Sequence, residues 1–526
     1  MQADADRRAP PASFVREVEY VRQFCPELNP TLLRAVAALS GCPAPAGDAF
    51  AFAEIGSGMG DTLATLAASY PQATFVGVDV NPAHVAAARD LAARGALANV
   101  RFVESDVEAT PAAEVPPLDF LAAHGLLAWI PAAKRRALFA TAAKHLKAGG
   151  LLYLGYNALP GWAGVEPLRR FMLDAAAGAE GTLAARVQHA LASAKALADA
   201  NADYFVANPF AREVLATMLD MGVAYAAHEF FDAHWEPLYF ADVAATAAEH
   251  DLRFVGQLPL HRNYRDLTTR PALKGALAPI ADRRTLERVG GFAGNEAFRR
   301  DVYVKGAVAR GGDTAHAFLD AVAFGTLAPE AEVSREASLP VGSVRYEGPL
   351  FDALIPAVSA RAAPIDALAA RPALASFGRD AIRHALLRLL MGKDVLPMPR
   401  AAEEPSAALP SRVLSAFNRA VLAQPIASRT PVVLASPVAG TGVPLTPLHA
   451  VALRALTEAA PADRAAWLRG LVEAAPLRLV DHGRPVTEKE ELARHLLAHV
   501  EEFRASRLPK LVELGIVGGA VPAGGV

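Results

Sequence analysis

From Phe50 to Leu154, short apolar runs of β-type residues alternate with longer Ala- and Leu-rich stretches repeating at helical spacing. The runs "AFAEIG", "TFVGVDV", "RFVESD", "LDFLAAHG" and "GLLYLGYN" predict five strands. Strands separated by helices predict a parallel, doubly wound α/β sheet of Rossmann-like form, because each parallel crossover needs a returning helix. Upstream, "SFVREVEYVRQFCPELNPTLLRAVAALSG" has apolar positions at helical spacing, and Asn29-Pro30 marks a helix start with Pro30 at the first helical position. Residues 165–225 read as almost wholly helical, with a break at Pro209. Beyond them, "YAAHEFFDAHWEPLYFADVAATAAEHDLRFVGQLPL" predicts an aromatic-rich loop, a helix and a strand. "ASLPVGSVRYEGPLFDALI" mixes strand and turn signals ahead of further helices, and "PMPRAAEEPSAALP", within Pro397–Pro410, reads as an exposed linker. No repeat period is present. The division so predicted is an N-terminal helical cap (1–45), the sheet domain (46–165), a helical middle domain (166–310) and a mixed α+β, mainly helical C-terminal region (311–526).

Composition narrows the class without changing that picture. A chain of 526 residues exceeds one ordinary core, and 53% hydrophobic content is enough for several. The net charge of −3, with no long Lys/Arg run, leaves no stripe to track phosphates, so nucleic acid is not expected as a partner. Two cysteines, Cys25 and Cys42, are too few for a disulfide framework or a structural zinc site and fit a reducing cytoplasm. "MQADADRRAPPASF" has no apolar stretch after its arginines, and no run of 18 apolar residues occurs, so neither a secretory signal nor a membrane span is expected.

The chemistry concentrates in "AEIGSGMGDTLATLAASYPQATFVGVDVNP". Gly56, Gly58 and Gly60 follow a strand and open a helix, where backbone can approach a ligand that any Cβ would obstruct. A dinucleotide turn needs a third glycine where Asp61 stands, and it binds an anionic pyrophosphate that Glu54 and Asp61 would repel. Both acids instead suit a ligand bearing an amino group and a sulfonium. Asp79, 19 residues beyond Gly60, ends the second strand where an acid accepts from ribose hydroxyls; Asp106 ends the third, placed for an adenine amino group.

"EIGSGMGDTLATLA", "GVDVNPAHVAAAR", "ESDV", "HGLLAWIP" and "LKAGGLLYLGYN" resemble, in order, the motifs of class I S-adenosylmethionine-dependent methyltransferases. The resemblance implies S-adenosyl-L-methionine as cofactor, with Glu54, Gly56, Gly58 and Gly60 at its methionine end, Asp79 and Val80 at the ribose, Asp106 and Val107 at the adenine, and His124 beside it. "AHGLLAWIP", "GYNALPGW" and "AHEFFDAHWEPLYFADV" are similar to bacterial methyltransferases carrying a methyltransferase regulatory domain, the rickettsial-type protein lysine methyltransferases among them. This narrower resemblance spans residues 14–310, and "FNRAVL" and "ASPVAGTGVPL" extend it toward residue 450.

Methyl transfer needs alignment and exclusion of water, and an amine acceptor must also shed a proton. Candidates at the ends of the fourth and fifth strands are His124, Trp129, Tyr156, Asn157 and Trp162, each with a bland alternative as a turn, core or plug residue. His124, Tyr156, Asn157 and Trp162 are the expected catalytic group. His228, Glu229, His234, Trp235 and Tyr239 are expected, with Trp129, along the acceptor channel; an interdomain interface is the other reading. His228 and His234 stand six apart, where a zinc helix needs four, so no metal is expected. No nucleophile elbow or P-loop occurs. The expected activity is methylation of a protein side chain, a lysine; a small-molecule acceptor and a non-catalytic cofactor-binding scaffold are the alternatives, and a homodimer stays open.

Overall fold

A computed structural model describes residues 22–109, 114–232, 234–306, 311, 313–403, 412–425, 431–474, 479–481, 484–486 and 488–518. The predicted helical reading of residues 13–21 and residues 404–410 of the Pro397–Pro410 linker lie outside them.

The five predicted strands form where the apolar runs place them: β1 (Ala51–Ile55), β2 (Thr74–Asp79), β3 (Val100–Glu104), β4 (Leu118–His124) and β5 (Leu146–Asn157). Between them run α2 (Asp61–Ser69), α3 (Pro82–Arg94) and α4 (Ala132–His145), and α1 (Pro30–Leu39) precedes the sheet. Asn29 caps α1 by accepting from the Thr31 N–H, and Pro30 takes the first helical position, where its missing N–H costs nothing.

The sheet is larger than its predicted domain. Its strand order is β3-β2-β1-β4-β5-β7-β6, and the last two strands, β6 (Leu252–Gln257) and β7 (Phe298–Lys305), come from the stretch assigned to the middle domain. β7 runs antiparallel to both neighbours, so the sheet is mixed at this edge. Apolar side chains cover both faces. Phe50, Phe52, Phe75 and Phe120 interlock on one side, and each buried ring of this size contributes about 1.5–3 kcal/mol.

Between β5 and β6 the chain makes a helical insertion: α5 (Glu166–Ala177), α6 (Leu183–Asp199), α7 (Asp203–Ala207), α8 (Pro209–Met221) and α9 (Val223–Phe230). Pro209 opens α8 rather than breaking a longer helix. The insertion has its own core, including Met172, Val187, Leu215, Met218 and Phe230. α10 (Phe240–Glu249) then returns the chain to the sheet.

The C-terminal region mixes short hairpins with helices, as "ASLPVGSVRYEGPLFDALI" suggests: strands Glu336–Leu339 and Gly342–Arg345 precede the helix Pro349–Ala360. Its last third has a separate core. From it the hairpin Val432–Ser436/Thr441–Leu445 packs onto α2. The approach is close: a Cβ at Gly440 would lie 2.2 Å from the Tyr70 hydroxyl, and one at Gly442 2.8 Å from the Phe24 ring. Among the described residues no helix is long and apolar enough to cross a membrane.

Candidate functional site

At the C-terminal ends of β1, β2, β4 and β5 lies a cavity of about 1470 Å³, where open α/β sheets hold their ligands. Gly56, Gly58 and Gly60 line it, all at positive φ (78°, 53° and 77°), a region costly for other residues. Gly60 is doubly constrained, because a Cβ there would stand 2.6 Å from Phe102 and 2.7 Å from Ala88. The Gly58 N–H donates to Asp79 Oδ2 (2.8 Å) and the Asn81 N–H to Oδ1 (2.9 Å), so the strand-end acid is fixed by backbone on both oxygens. His84 Nδ1 stands 3.5 Å from Oδ1, and each oxygen keeps further acceptor capacity.

Glu54 lines the same cavity and is 4% exposed, with Oε2 unpartnered. Burial, with Asp79 adding, pushes its carboxyl up to about 8. An orphaned buried carboxylate beside a triple-glycine turn fits a ligand that brings its own ammonium group. Asp61 differs from the expectation: Arg22 pairs with it at 2.9 Å, so its charge is compensated and the case against pyrophosphate rests on Glu54. At the third strand's end Asp106 binds Lys134, a cation the strand pattern does not foreshadow. Val80 and Val107 complete this end.

Strand alternation sorts the expected catalytic group. Glu54 pairs with Ala122, Ala122 with Tyr153, and His124 with Gly155, so Glu54, His124, Tyr153 and Asn157 share one face of the sheet. Tyr156 sits one residue out of phase and falls on the other. The expectation of a catalytic Tyr156 is therefore corrected: it is fully buried, and its hydroxyl donates to Asp301 (2.7 Å). There Arg299 bridges Glu287 (2.9 Å), Glu296 (2.6 Å) and Asp301 (2.9 Å) in a buried ionic cluster that locks β7 in place. Asn157 lines the cavity, and its side chain has no hydrogen-bond partner among the described residues. His124 also lines it; burial holds its imidazole down at about 4, so it is neutral at pH 7.

The segment from α8 to Trp235 divides similarly. Asp220, Met221, Tyr225, His228, Glu229 and Asp232 line the cavity with Trp129 and Trp162. His234, Trp235 and Tyr239 do not. Asp232 Oδ1 accepts from the His234 N–H (2.8 Å) in a tight turn, after which the chain leaves toward Ala128. His234 is exposed, and Trp235 is a plug packed edge-on against Trp162 (5.6 Å) beneath Arg169. Tyr239 is 50% exposed at the start of α10. None of these three lines the cavity as the channel expectation has it; the interface reading fits Trp235, while His234 and Tyr239 face solvent. Among the described residues no group of three or more His, Cys, Asp or Glu could hold a metal ion.

Several lining residues carried no local signal: Arg22, Lys134, Asp220, Asp232, Arg300, and Val433, Thr441 and Gly442 of the C-terminal hairpin. All reach the cavity through long-range packing.

Residues 52–150 match the family model of a methyltransferase domain, and residues 223–305 that of a predicted methyltransferase regulatory domain. An uncharacterized protein of Synechocystis sp. is 27% identical over 504 residues, 96% of this chain and 99% of that protein. Trans-aconitate 2-methyltransferase of Azoarcus sp. is 33% identical over 109 residues, 20% of this chain and 39% of that enzyme. PKMT2 from Rickettsia typhi has the same fold, with a TM-score of 0.71 at 16% identity over 95% of this chain and 100% of that one. Its complex with AdoHcy gives 0.69 over 92% and 98%. The regulatory match is not a separate body here: it contains α9, α10, β6 and β7, and so completes the catalytic sheet. A methyltransferase domain that keeps an unpartnered buried carboxyl group beside its glycine turn is suited to S-adenosylmethionine, and the chain is an S-adenosylmethionine-dependent methyltransferase whose residues 223–305 match a methyltransferase regulatory domain.

Proposed function

We propose that the methyl acceptor is a lysine side chain of a protein. The observation that carries this reading is the make-up of the acceptor wall, where Asp220, Glu229 and Asp232 stand with Trp129, Trp162 and Tyr225. Carboxylates draw an ammonium group in, and aromatic faces hold it by cation–π attraction. The whole-length likeness to PKMT2, including the C-terminal region, supports the same reading.

In this reading Glu54 receives the ammonium of the methionine end, Asp79 with Val80 the ribose, and Asp106 with Val107 the adenine. S-adenosylmethionine supplies a methyl carbon already activated by positive sulfur. The chain's own residues align the acceptor, exclude water and ease loss of its proton. Desolvation between Trp129 and Trp162 lowers an amine pKa from its ordinary value of about 10.4. In this reading the Asn157 side-chain oxygen would accept an N–H of the incoming amine and so help to orient it.

The small-molecule alternative draws on the local match to trans-aconitate 2-methyltransferase. An anionic substrate would meet Asp220, Glu229 and Asp232 unfavourably, which weighs against it. Incubating the purified chain with deuterated S-adenosylmethionine and a cell extract, followed by mass spectrometry, tests the choice. Deuteromethyl-lysine in proteins is the expected result; label confined to metabolites, or none at all, would overturn it.

A further inference from the structure

His124 is held with unusual care for a side chain at a strand end. Its Nδ1 lies 2.9 Å from the Tyr153 hydroxyl, with the two rings nearly parallel (8°, centroids 5.9 Å apart). Gly155 makes the room, since a Cβ there would stand 2.5 Å from that nitrogen. Phe298 packs against the imidazole at 5.6 Å. Tyr153 is fully buried, and among the described residues its hydroxyl has no hydrogen-bond partner besides His124.

That last fact decides the direction of the bond. If His124 Nδ1–H were the donor, the buried Tyr153 O–H would have no acceptor, leaving a desolvated donor unsatisfied. With Tyr153 donating to Nδ1, both groups are satisfied and the imidazole proton sits on Nε2. Nε2 has no protein partner among the described residues, and His124 lines the cavity. The ring therefore offers the cavity a donor, not a base. Arg300 lines the cavity on the same face, paired with Glu27 at 2.9 Å.

We infer that Tyr153 is a positioning residue that holds His124 in its Nε2–H tautomer, so that His124 donates a hydrogen bond to the carboxylate at the methionine end of the cofactor. Glu54, on the same sheet face, receives the ammonium of that amino-acid group, while the charge of Arg300 is already compensated by Glu27, which leaves His124 as the donor to the carboxylate. The inference rests on the cofactor placement described above, and not on the identity of the acceptor.

The test uses the purified full chain and two probes, S-adenosylhomocysteine and methylthioadenosine, the second lacking the amino-acid group. Tyr153→Phe keeps the stacked ring and removes the hydroxyl. Tyr153→Phe and His124→Ala should each weaken S-adenosylhomocysteine about tenfold by calorimetry, the worth of one charge-assisted hydrogen bond, and leave methylthioadenosine unaffected. His124→Gln, which still presents a donor, should recover part of the loss. Nitrogen-15 NMR of labelled histidines, with His124 assigned by difference from His124→Gln, should show the Nε2–H tautomer. Observation of Nδ1–H, or equal losses for both probes, would overturn the inference. If Tyr153→Phe does not fold, the His124 variants and the spectrum decide alone. Asp79→Ala is the control: unchanged affinity for both probes would remove the cofactor placement itself.

Discussion

The two ends of the cavity are built by different means. At the cofactor end, the glycine turn, Glu54 and Asp79 come from the continuous stretch of β1, α2 and β2, and backbone fixes them through positive-φ glycines and N–H donors to Asp79. At the proposed acceptor end, α8, α9, Trp129, Trp162 and Asn157 meet from separate segments, and the wall is made of side chains rather than backbone. The contrast teaches that the first end is specified locally and arrives preorganised, while the second depends on how the helical insertion docks against the sheet.

The strongest blow to this contrast is aimed at Asp79. Asp79→Ala removes the anchor of the Gly58 and Asn81 N–H groups and two charge-assisted acceptors, so S-adenosylhomocysteine affinity should fall about 100-fold. Calorimetry measures it, and a loss below threefold would mean that the turn stands without its acid.

Glu54 sharpens the same end through pH. Its folded carboxyl is raised to about 8, so the protonated form is favoured in the folded, cofactor-free state. Unfolding thus releases a proton between the ordinary carboxylate range and about 8, and this group's contribution to stability is present at low pH and lost as pH rises through that window. Binding an ammonium group reverses the preference, so S-adenosylhomocysteine should release a proton near pH 7, seen as calorimetric heats that vary with buffer ionisation enthalpy. Glu54→Gln should abolish the release and weaken binding about thirtyfold, the worth of one charged hydrogen bond in a buried site. Release persisting in the variant would assign the proton elsewhere.

Legibility follows the same division. The strands of the first half were readable because each is a short apolar run between turn signals, and Glu54, Asp79 and Asp106 because their spacing is local. Tyr156 and Asn157 were not separable: β5 is buried on both faces from Gly150 onward, so its apolar run has no alternation to set the phase. Only the partner register shows which neighbour faces the ligand. β6 was legible as a strand, but its place in this sheet, and β7 altogether, were hidden by the helical insertion that separates them from β5. His228 and Glu229 were within reach because α9 belongs to an aromatic-rich segment, but the turn at Asp232 that sends His234 and Trp235 away depends on a side-chain hydrogen bond, which no periodicity reports.

Neutralising the acceptor wall should have a middling effect confined to that end. Asp220→Asn with Glu229→Gln should raise KM for a lysine-bearing acceptor about tenfold, from two partly screened attractions of about 0.7 kcal/mol each, and leave cofactor affinity unchanged. Steady-state kinetics against both ligands separates these. A matching drop in cofactor affinity would show that the two ends are not independent.

The smallest expected effect lies at Lys134, and it asks whether any side chain at the cofactor end matters as backbone does. Lys134 reaches Asp106 from α4, and the pair is partly solvent-exposed, 21% and 30%. Exposed ion pairs are worth about 0–1 kcal/mol, so Lys134→Met should weaken S-adenosylhomocysteine by about threefold and reduce the salt dependence of binding. Asp106 keeps its Oδ1 contact with the Glu108 N–H (3.3 Å), so the acid stays in place when the lysine is gone. A loss of twentyfold or more would mean that Lys134 touches the ligand directly, and the cofactor end would then share with the acceptor end a dependence on a residue delivered by packing rather than by the turn.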